Sequence, residues 1–408
     1  MNPARPAHVL DSYSVLDFTQ FVAGPTLTRM MAQMGADVIK VEIAPAGDRT
    51  RALPLMRNNR SGYFVQQNLG KRSLCVDTRN PAGLAILKEL VPKVDVVVEN
   101  FAPGVIGRLG LDYETVRALN PKVVMCSVST FGQKGPLAHL PGYDFIAQAY
   151  SGITYMTGEA DGPPYFPAAA LGDVSTGVHG ALAVVAALLH RERTGEGQFL
   201  DIALLDAYFH CHQTAIQMYT LSGGAMKPAR SGRHISYTAP CGIFKAREGY
   251  VFIVAGVDHQ FAQLCDAIGR SELAHDDRFR TNDRRVENLS DLVSIIEGWL
   301  AAMPNDDAAL TILSQHRVPA APVLSPDEAL ELPHLRERGT VATVNDPILG
   351  SFDVPGFPLH FSSFPEPAGA GAPLLGEHNE QVLAEYLGYS RERVEELERA
   401  RILHRETR

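Results

Sequence analysis

The feature that most restricts the fold is a regular alternation of short β-type runs and helical segments over the first half of the chain. Runs made almost wholly of Val and Ile, such as residues 94–98, recur through this half. Strands of that composition are covered on both faces, as in parallel sheets. The alternation therefore predicts an α/β domain built on a largely parallel sheet wound with helices.

Composition limits the classes of function. The chain has 408 residues, of which 45% are hydrophobic and 20% charged, as expected for a large globular protein of two or more domains. Its formal net charge of −9 argues against a general nucleic-acid or anionic-membrane surface. Residues 1–14 contain no long apolar run, and the most apolar stretch, residues 180–189, is too short to cross a bilayer. We expect a cytoplasmic protein with neither a nucleic-acid nor a membrane partner.

The cysteine and histidine pattern predicts no metal site. The five cysteines are scattered and form no CxxC pair, which favours reduced thiols over disulfides or zinc ligands. His210, Cys211 and His212 are adjacent in sequence, but neighbours on a helix point in different directions.

Residues that follow the predicted strands carry the most information about ligands, because parallel sheets bind ligands beyond the carboxyl ends of their strands. Neither GxGxxG nor GxxxxGK[ST] occurs there, so hydride and phosphoryl transfer are not supported. The segments instead supply Asn, backbone N–H groups and arginines such as Arg72, Arg79 and Arg108, which are suited to phosphate groups.

One aspartate stands beside the most apolar helical run. The pattern predicts a buried helix from Val174 to about Arg193, with Gly195 as its C-terminal stop. Asp173 lies at the start of this run, where the free N–H groups and the helix dipole favour an ionised carboxylate available as a nucleophile or base. The same pattern also fits an ordinary N-cap. The local residues leave both interpretations open.

The second half of the chain predicts a smaller domain. A Gly-, Pro- and Arg-bearing connector, residues 221–233, precedes a predicted hairpin and several helices. A proline-marked crossing then leads to a strand-rich segment and charged terminal helices. We predict a large α/β domain in 1–220, a small α+β domain with its connector in 221–325, and a return linker with the rest of the large domain in 326–408.

Eight motifs resemble, in order and approximate spacing, those of the class III CoA-transferases, the family of formyl-CoA transferase and carnitine CoA-transferase. They are LDFTQFVAGP, GADVIKVE with GDRTR, NLGKRSLCVD, VVVENFAPGVIGRLGL, PGYDFIAQAYSG, ALGDVSTG, TGEGQFLDIALLDA and PLLGEHNEQVL. The resemblance implies a Rossmann-like large domain completed by the C-terminal segment, in two chains that interlock as a homodimer. It also implies that coenzyme A and acyl-CoA are substrates and that no cofactor is bound permanently.

The resemblance implies roles for particular residues. Asp173 aligns with the nucleophilic aspartate of the family. The positions that line the CoA channel, with Arg108 as a phosphate contact, are Ala23, Val76, Arg79, Asn100, Phe101, Arg108 and Tyr143.

The implied reaction transfers CoA from an acyl-CoA to a carboxylic acid through an aspartyl anhydride and an aspartyl-CoA thioester. The first N–H groups of the following helix would stabilise the oxyanions. Two alternatives stay open: a 2-methylacyl-CoA racemase and a CoA-binding protein without catalysis. Racemases of this superfamily resemble a pattern with His at the position of Tyr143, so Tyr143 favours the transferase. Gly172 and Asp173 at the helix start argue against a pure binding protein.

Substrate identity depends on the connector. Arg230, Arg233 and His234 supply three potential cations near a region that faces the active site in the family. They predict a second carboxylate on the acceptor, hence a short dicarboxylic acid with succinyl-CoA as a candidate donor. Formyl-transferring relatives resemble a pattern with a glycine run in this region, which the chain lacks. In GDRTR, Arg49 replaces a frequent acid, and its role is open.

Overall fold

The computed structural model describes residues 8–53, 56–365 and 371–406. The chain forms two compact units, one containing residues 8–151, 167–213 and 333–406, the other residues 152–166 and 214–332. The second unit begins at residue 214 and also includes residues 152–166, which in sequence lie between two parts of the first unit.

Thirteen strands occur in the described residues. They are β1 Ser14–Asp17, β2 Asp37–Ile43, β3 Met56–Arg57, β4 Arg60–Ser61, β5 Arg72–Val76, β6 Val96–Glu99, β7 Val124–Ser129, β8 Gln198–Ala203, β9 Cys241–Lys245, β10 Tyr250–Val254, β11 Ala320–Pro322, β12 Val341–Asp346 and β13 Gly350–Pro355.

Eighteen α-helices are present in the same part of the chain. They are α1 Ala23–Gln33, α2 Gly62–Gln67, α3 Pro81–Leu90, α4 Val105–Arg108, α5 Tyr113–Leu119, α6 Asp144–Ser151, α7 Ile153–Met156, α8 Leu171–Thr194, α9 Leu204–His210, α10 Ala215–Leu221, α11 Asp258–Ala267, α12 Asn282–Glu287, α13 Leu289–Ala302, α14 Asp306–Gln315, α15 Pro326–Leu330, α16 Pro333–Glu337, α17 Asn379–Leu387 and α18 Arg391–Arg399. Short 3₁₀ helices span Arg49–Ala52, Val91–Lys93 and Ser271–His275.

The first unit is organised by a six-stranded sheet in the order β5-β2-β1-β6-β7-β8, with every neighbouring pair parallel. This confirms the predicted α/β class with a parallel sheet. The chain winds outward from β1 through β2 to β5, then crosses to β6 and winds the other way. The loops after β1 and β6 therefore diverge at a topological switch point, where such sheets bind ligands.

The C-terminal segment contributes to the core of this unit. Val382, Leu383 and Leu397 pack in one buried cluster with residues of β1, β2 and β5. Asn379 Oδ1 accepts a 2.9 Å hydrogen bond from the N–H of Cys75, which ties α17 to the exposed edge of the sheet. The segment thus protects a strand edge that would otherwise be open to pairing.

Helix α8 packs on α1 through small residues. A Cβ on Gly177 would lie 2.7 Å from the Ala23 carbonyl oxygen, and one on Gly180 would lie 2.5 Å from Leu27. The helix ends at Gly195, whose φ of +79° is the predicted left-handed stop. It begins three residues earlier than predicted, so Asp173 is its third residue. By length and composition alone, this is the helix in the described residues that could cross a membrane.

The second unit is an α+β arrangement. Strands β9 and β10 form the predicted hairpin, and β11 adds antiparallel to β10. Helices α11, α13 and α14 supply much of the apolar core. Arg285 is fully buried there and donates to the carbonyl oxygens of Ala239, Phe279 and Gly256.

Candidate active site

The loop between β1 and α1 is fixed by Asn100, which follows β6. The Asn100 amide accepts from the Gln20 N–H and donates to the Gln20 carbonyl oxygen, both at 2.8 Å. The next residue, Phe21, takes a φ of +66°, which is uncommon for a bulky side chain. Its ring meets that of Tyr143 edge-on with centroids 6.0 Å apart. The loops that follow β1 and β6 therefore lie close to Tyr143, the residue before α6.

Asp144, the first residue of α6, holds the start of α8. Its Oδ1 accepts a 3.0 Å hydrogen bond from the N–H of Asp173. The Tyr208 ring also packs against Gly172, and its hydroxyl accepts a 3.3 Å hydrogen bond from Gln148 Nε2. A Cβ on Gly172 would lie 2.0 Å from the Tyr208 ring and 2.4 Å from Asp144 Oδ1. Glycine is needed here because two side chains, rather than a substrate, approach its backbone.

The electrostatics of this centre favour a proton on Asp173. Burial raises the pKa of Asp173 to about 7, and the nearby Asp144 charge adds to the rise. Burial also raises the pKa of Asp144. Among the described residues, neither carboxylate forms an ion pair with Lys, Arg or His. Close to neutral pH, Asp173 is therefore a strongly basic carboxylate that has been desolvated without a compensating cation.

Two expectations about the helix start need correction. The helix dipole was expected to favour the ionised form, but burial and Asp144 outweigh it and the pKa of Asp173 rises. The first N–H groups of the helix after Asp173 were expected to stabilise oxyanions, but the helix already begins at Leu171 and the Val174 N–H donates to the Ala170 carbonyl oxygen at 3.1 Å. The N-cap interpretation is also wrong, because the cap position is Ala170 and no side chain caps the helix.

The predicted CoA-channel residues divide into several groups. Ala23, Asn100 and Tyr143 are brought together around the β1–α1 loop, with Tyr143 64% exposed. Val76 ends β5 with a fully buried side chain in the core. Phe101 packs partly against that core, and its N–H donates to Glu99.

The arginines suited to phosphate differ in their partners. Arg79 is 74% exposed and forms a two-point ion pair with Asp77. Arg108 is exposed at the end of α4, where its guanidinium makes a 3.4 Å hydrogen bond to the Gly104 carbonyl oxygen. Arg72, by contrast, pairs with Asp37 and Glu385. Of the three guanidinium groups, that of Arg108 therefore has the weakest contacts with other residues of the chain.

Arg233 and His234 belong to the second unit. Arg233 pairs with Glu297 at 3.0 Å. The His234 ring lies edge-on to Phe244, and both of its nitrogens lack a hydrogen-bond partner. Burial, followed by the charge of Arg233, lowers the pKa of His234. Arg230 donates to the Tyr155 carbonyl oxygen and packs over the Tyr155 ring.

Sequence reasoning did not assign three residues that the structure places at Asp173. Asp144 was visible in PGYDF beside Tyr143, and an acid ahead of a predicted helix was the available signal. Tyr208 gave no signal, because its ring is an unremarkable apolar position of α9. For Tyr63, burial and then the charge of Asp173 raise the pKa to about 12. The described residues contain no group of three metal-ligating side chains close enough to hold an ion.

Comparison with known proteins shows the family of the chain. Residues 10–379 match the model of CoA-transferase family III. The chain is 36% identical to the mouse succinyl-CoA:glutarate CoA-transferase over 95% of this chain and 88% of that protein. It is 37% identical to the acetyl-CoA:oxalate CoA-transferase of Acetobacter aceti over 94% of this chain and 97% of that protein.

A solved structure gives the same result for the fold. A CAIB/BAIF family protein from Brucella suis superposes with a TM-score of 0.82 at 34% identity, covering 93% of this chain and all of that one. The chain belongs to CoA-transferase family III. It is a class III CoA-transferase, an enzyme whose substrates are CoA thioesters.

Proposed function

We propose that this enzyme moves CoA from an acyl-CoA donor, with succinyl-CoA as the leading candidate, to a short dicarboxylic acid, using Asp173 as nucleophile. The observation that carries the proposal is the state of Asp173: a desolvated carboxylate beside Asp144, without a cation and with a pKa of about 7. Such a group is ionised above neutral pH while keeping high basicity, which suits attack on a thioester.

The proposed chemistry has four acyl-transfer steps. An Asp173 oxygen attacks the thioester carbonyl carbon, the C–S bond breaks, and a mixed anhydride and CoA thiolate form. The thiolate then attacks the Asp173 carbonyl carbon and expels the donor acid, which leaves an aspartyl-CoA thioester. The acceptor carboxylate attacks this thioester and releases CoA thiolate, which attacks the acceptor carbonyl of the new anhydride. Asp173 is regenerated and no net redox change occurs.

Asp144 has a defined part in this scheme. By accepting from the N–H of Asp173, it fixes the backbone that carries the proposed nucleophile. Its negative charge raises the basicity of Asp173. CoA would then lie along the switch-point loops. The contacts proposed for it are Ala23, Arg79, Asn100, Phe101, Arg108 and Tyr143. Val76, also predicted to line the channel, is fully buried in the core and would support the site only from behind.

The dicarboxylate proposal draws on the relatives and on the second unit. Glutarate and oxalate, named for the two relatives, are both dicarboxylic acids. Arg233 and His234 are proposed to bind the distal carboxylate. Because Arg233 is paired with Glu297, binding must replace or share that ion pair.

We further propose a cytoplasmic homodimer that binds neither nucleic acid nor membranes. The face of α8 opposite α1 is apolar and exposed, contrary to the buried helix expected from sequence, and Leu182 is 67% exposed. Exposed apolar faces of this kind commonly lie at subunit interfaces. The five unpaired cysteines fit a reducing compartment. If the face is the interface, Leu182→Glu should lower the mass measured by light scattering from dimer to monomer, whereas an unchanged mass would reject it.

An acceptor screen tests the proposed function. Succinyl-CoA or acetyl-CoA would be incubated with dicarboxylic and monocarboxylic acids of equal length, and new CoA esters measured by mass. We expect higher specificity constants for dicarboxylates and loss of that preference in Arg233→Ala. Arg278→Ala, which breaks another exposed ion pair of the second unit, is the matched control. Equal constants for both acid classes would reject the dicarboxylate proposal.

The racemase alternative has its own test. A chiral 2-methylacyl-CoA in deuterated water should gain no deuterium at its α-carbon, because transfer leaves that C–H bond intact. Time-dependent incorporation that required Asp173 would reverse the assignment.

A further inference from the structure

Side chains hold the main chain of Thr19 and Gln20, which follow β1. The N–H and the carbonyl oxygen of both residues are hydrogen-bonded to side chains, namely those of Asp17, Lys40 and Asn100. The N–H of Thr19 donates to Asp17 Oδ1 at 2.8 Å, and its carbonyl oxygen accepts from Lys40 Nζ at 2.8 Å. The Thr19 hydroxyl also donates to Asp17 Oδ1, at 2.6 Å. Asn100 holds both groups of Gln20. The main chain of this short segment is therefore held at both residues by side chains.

The groups that hold Thr19 form a buried ion cluster, defined here as Asp17, Lys40, Asp48 and Lys71. Lys71 Nζ meets Asp17 Oδ2 at 3.0 Å, and Lys40 Nζ meets Asp48 Oδ2 at 2.8 Å. The side chains of all four are almost completely inaccessible to solvent. Burial alone would raise the pKa of Asp17, but Lys71 and Lys40 hold it below its ordinary value. Asp17 is therefore a permanently charged acceptor.

Stability alone does not account for this arrangement. Buried ion pairs often contribute no more than apolar residues of equal volume, because desolvation offsets the attraction between the charges. The ion cluster does, however, determine where the chain goes after β1. Gly24 reinforces this, because a Cβ there would lie 2.4 Å from the Thr19 side chain.

The loop so fixed leads directly to the active site. Phe21, in its left-handed conformation, contacts Tyr143, the neighbour of Asp144. The Ala23 carbonyl oxygen lies against Gly177, one helical turn beyond Asp173. A shift of the loop would therefore move groups on two sides of the nucleophile.

We propose that Asp17 and Lys40 are positioning residues for CoA transfer, acting through Thr19 to hold residues 19–23 in the geometry that the reaction requires. Lys71 and Asp48 act one step further away, by keeping Asp17 and Lys40 charged and in place. The proposal rests on the CoA-transfer reaction of the family. It depends on Asp173 as the nucleophile of the proposed function, but not on the identity of the acceptor.

The test uses changes small enough for the chain to fold. Thr19→Val keeps the shape of the side chain and removes the hydroxyl that donates to Asp17. Thr19→Ser restores the hydroxyl. Ser73→Ala is the matched control, because Ser73 is equally buried and its hydroxyl donates to Glu42 at 2.6 Å, but it holds the C-terminal segment instead of the loop.

All variants would be measured on the donor and acid that give the highest wild-type activity, together with thermal unfolding. We expect kcat/KM to fall about tenfold or more in Thr19→Val, since small displacements of reacting groups cost large factors in rate. Thr19→Ser should return to within about threefold of wild type, and Ser73→Ala should stay within about twofold, while the melting temperatures of Thr19→Val and Ser73→Ala fall alike.

Two outcomes would overturn the proposal. One is full activity in Thr19→Val. The other is an equal loss of activity in Thr19→Val and Ser73→Ala, which would show that lower stability alone explains the loss. If the proposed dicarboxylate acceptor is wrong, the wild-type enzyme itself will fail to transfer CoA to that acid. A wrong nucleophile would be evident in an active Asp173→Asn variant.

Discussion

Two groups of carboxylates in the first unit have opposite surroundings. In the ion cluster, Asp17 and Asp48 each meet a lysine, and although burial opposes it, the pKa of each falls below its ordinary value. Asp144 and Asp173 have no ion pair among the described residues, and the pKa of each rises. The carboxylates of the ion cluster stay charged and are compensated by lysines, whereas the pair at the start of α8 is left uncompensated. Lack of a cation does not by itself identify the reactive group, because burial also raises the pKa of Glu99 to about 7. Glu99 is only 1% exposed, whereas Asp173 is partly exposed and can meet a substrate, which is why Asp173 is the proposed reactive group.

The largest expected effect comes from breaking the ion cluster. Lys71→Met would leave Asp17 buried with one cation fewer, and removing one partner of a buried pair typically costs about 3–5 kcal/mol. We expect the free energy of unfolding in urea to fall by that amount. A change below about 1 kcal/mol would show that the ion cluster is not energetically coupled as described.

The opposite sign is expected at the nucleophile. The raised pKa of Asp173 means that the folded state binds its proton more tightly than the unfolded state does. Its stabilising contribution is complete below pH 3.8 and is lost as the pH rises through about 7. Asp173→Asn should therefore stabilise the protein at pH 8, by about 2 kcal/mol given the partial exposure of the side chain. The gain should disappear near pH 4, and destabilisation at pH 8 would contradict the account.

The pH dependence of transfer sharpens the same comparison. Because only ionised Asp173 is nucleophilic, kcat/KM should fall about tenfold per pH unit below about pH 7. Asp144→Asn removes the neighbouring charge while keeping an oxygen that can accept from the Asp173 N–H. The fall of kcat/KM on the acidic side should then begin at a lower pH. If it begins at the same pH in Asp144→Asn, the charge of Asp144 does not raise the pKa of Asp173 as proposed.

The smallest effect concerns CoA phosphates. Arg108→Ala should weaken CoA binding about tenfold by calorimetry, since a charge-assisted contact is worth about 1.5–3 kcal/mol and Arg108 is exposed. Arg79→Ala should weaken it less, because Arg79 must first leave Asp77. Unchanged affinity in Arg108→Ala would remove Arg108 from the site.

The sequence predicted the elements of the fold that have local causes. Valine-rich runs gave the parallel sheet, and Gly195 gave the end of α8. The exact start of α8 was missed because nothing in Ala170 or Leu171 resembles a cap; the helix begins there because Gly172 packs against Tyr208 and Asp144. Tertiary packing, not local preference, sets this boundary.

The sequence suggested the central residue of the candidate site but not its surroundings. Asp173 was identified by resemblance, whereas the roles of Asp144 and Tyr208 depend on contacts between α6, α8 and α9 that no local spacing encodes. The rise in the pKa of Asp173 likewise depends on burial, which outweighed the helix-dipole argument. The structure shows why an arginine is tolerated at position 49 of the GDRTR loop. Arg49 is exposed, whereas its neighbours Asp48 and Arg51 form the ion pairs with Lys40 and Glu42.

The most direct test of the nucleophile is the mass of the enzyme after incubation with succinyl-CoA and no acceptor. The account predicts an increase equal to CoA less one water, located on the peptide that contains Asp173. The increase should be absent in Asp173→Asn and should be reversed when the acceptor acid is added. Transfer activity in Asp173→Asn, or a CoA adduct on a different peptide, would contradict it.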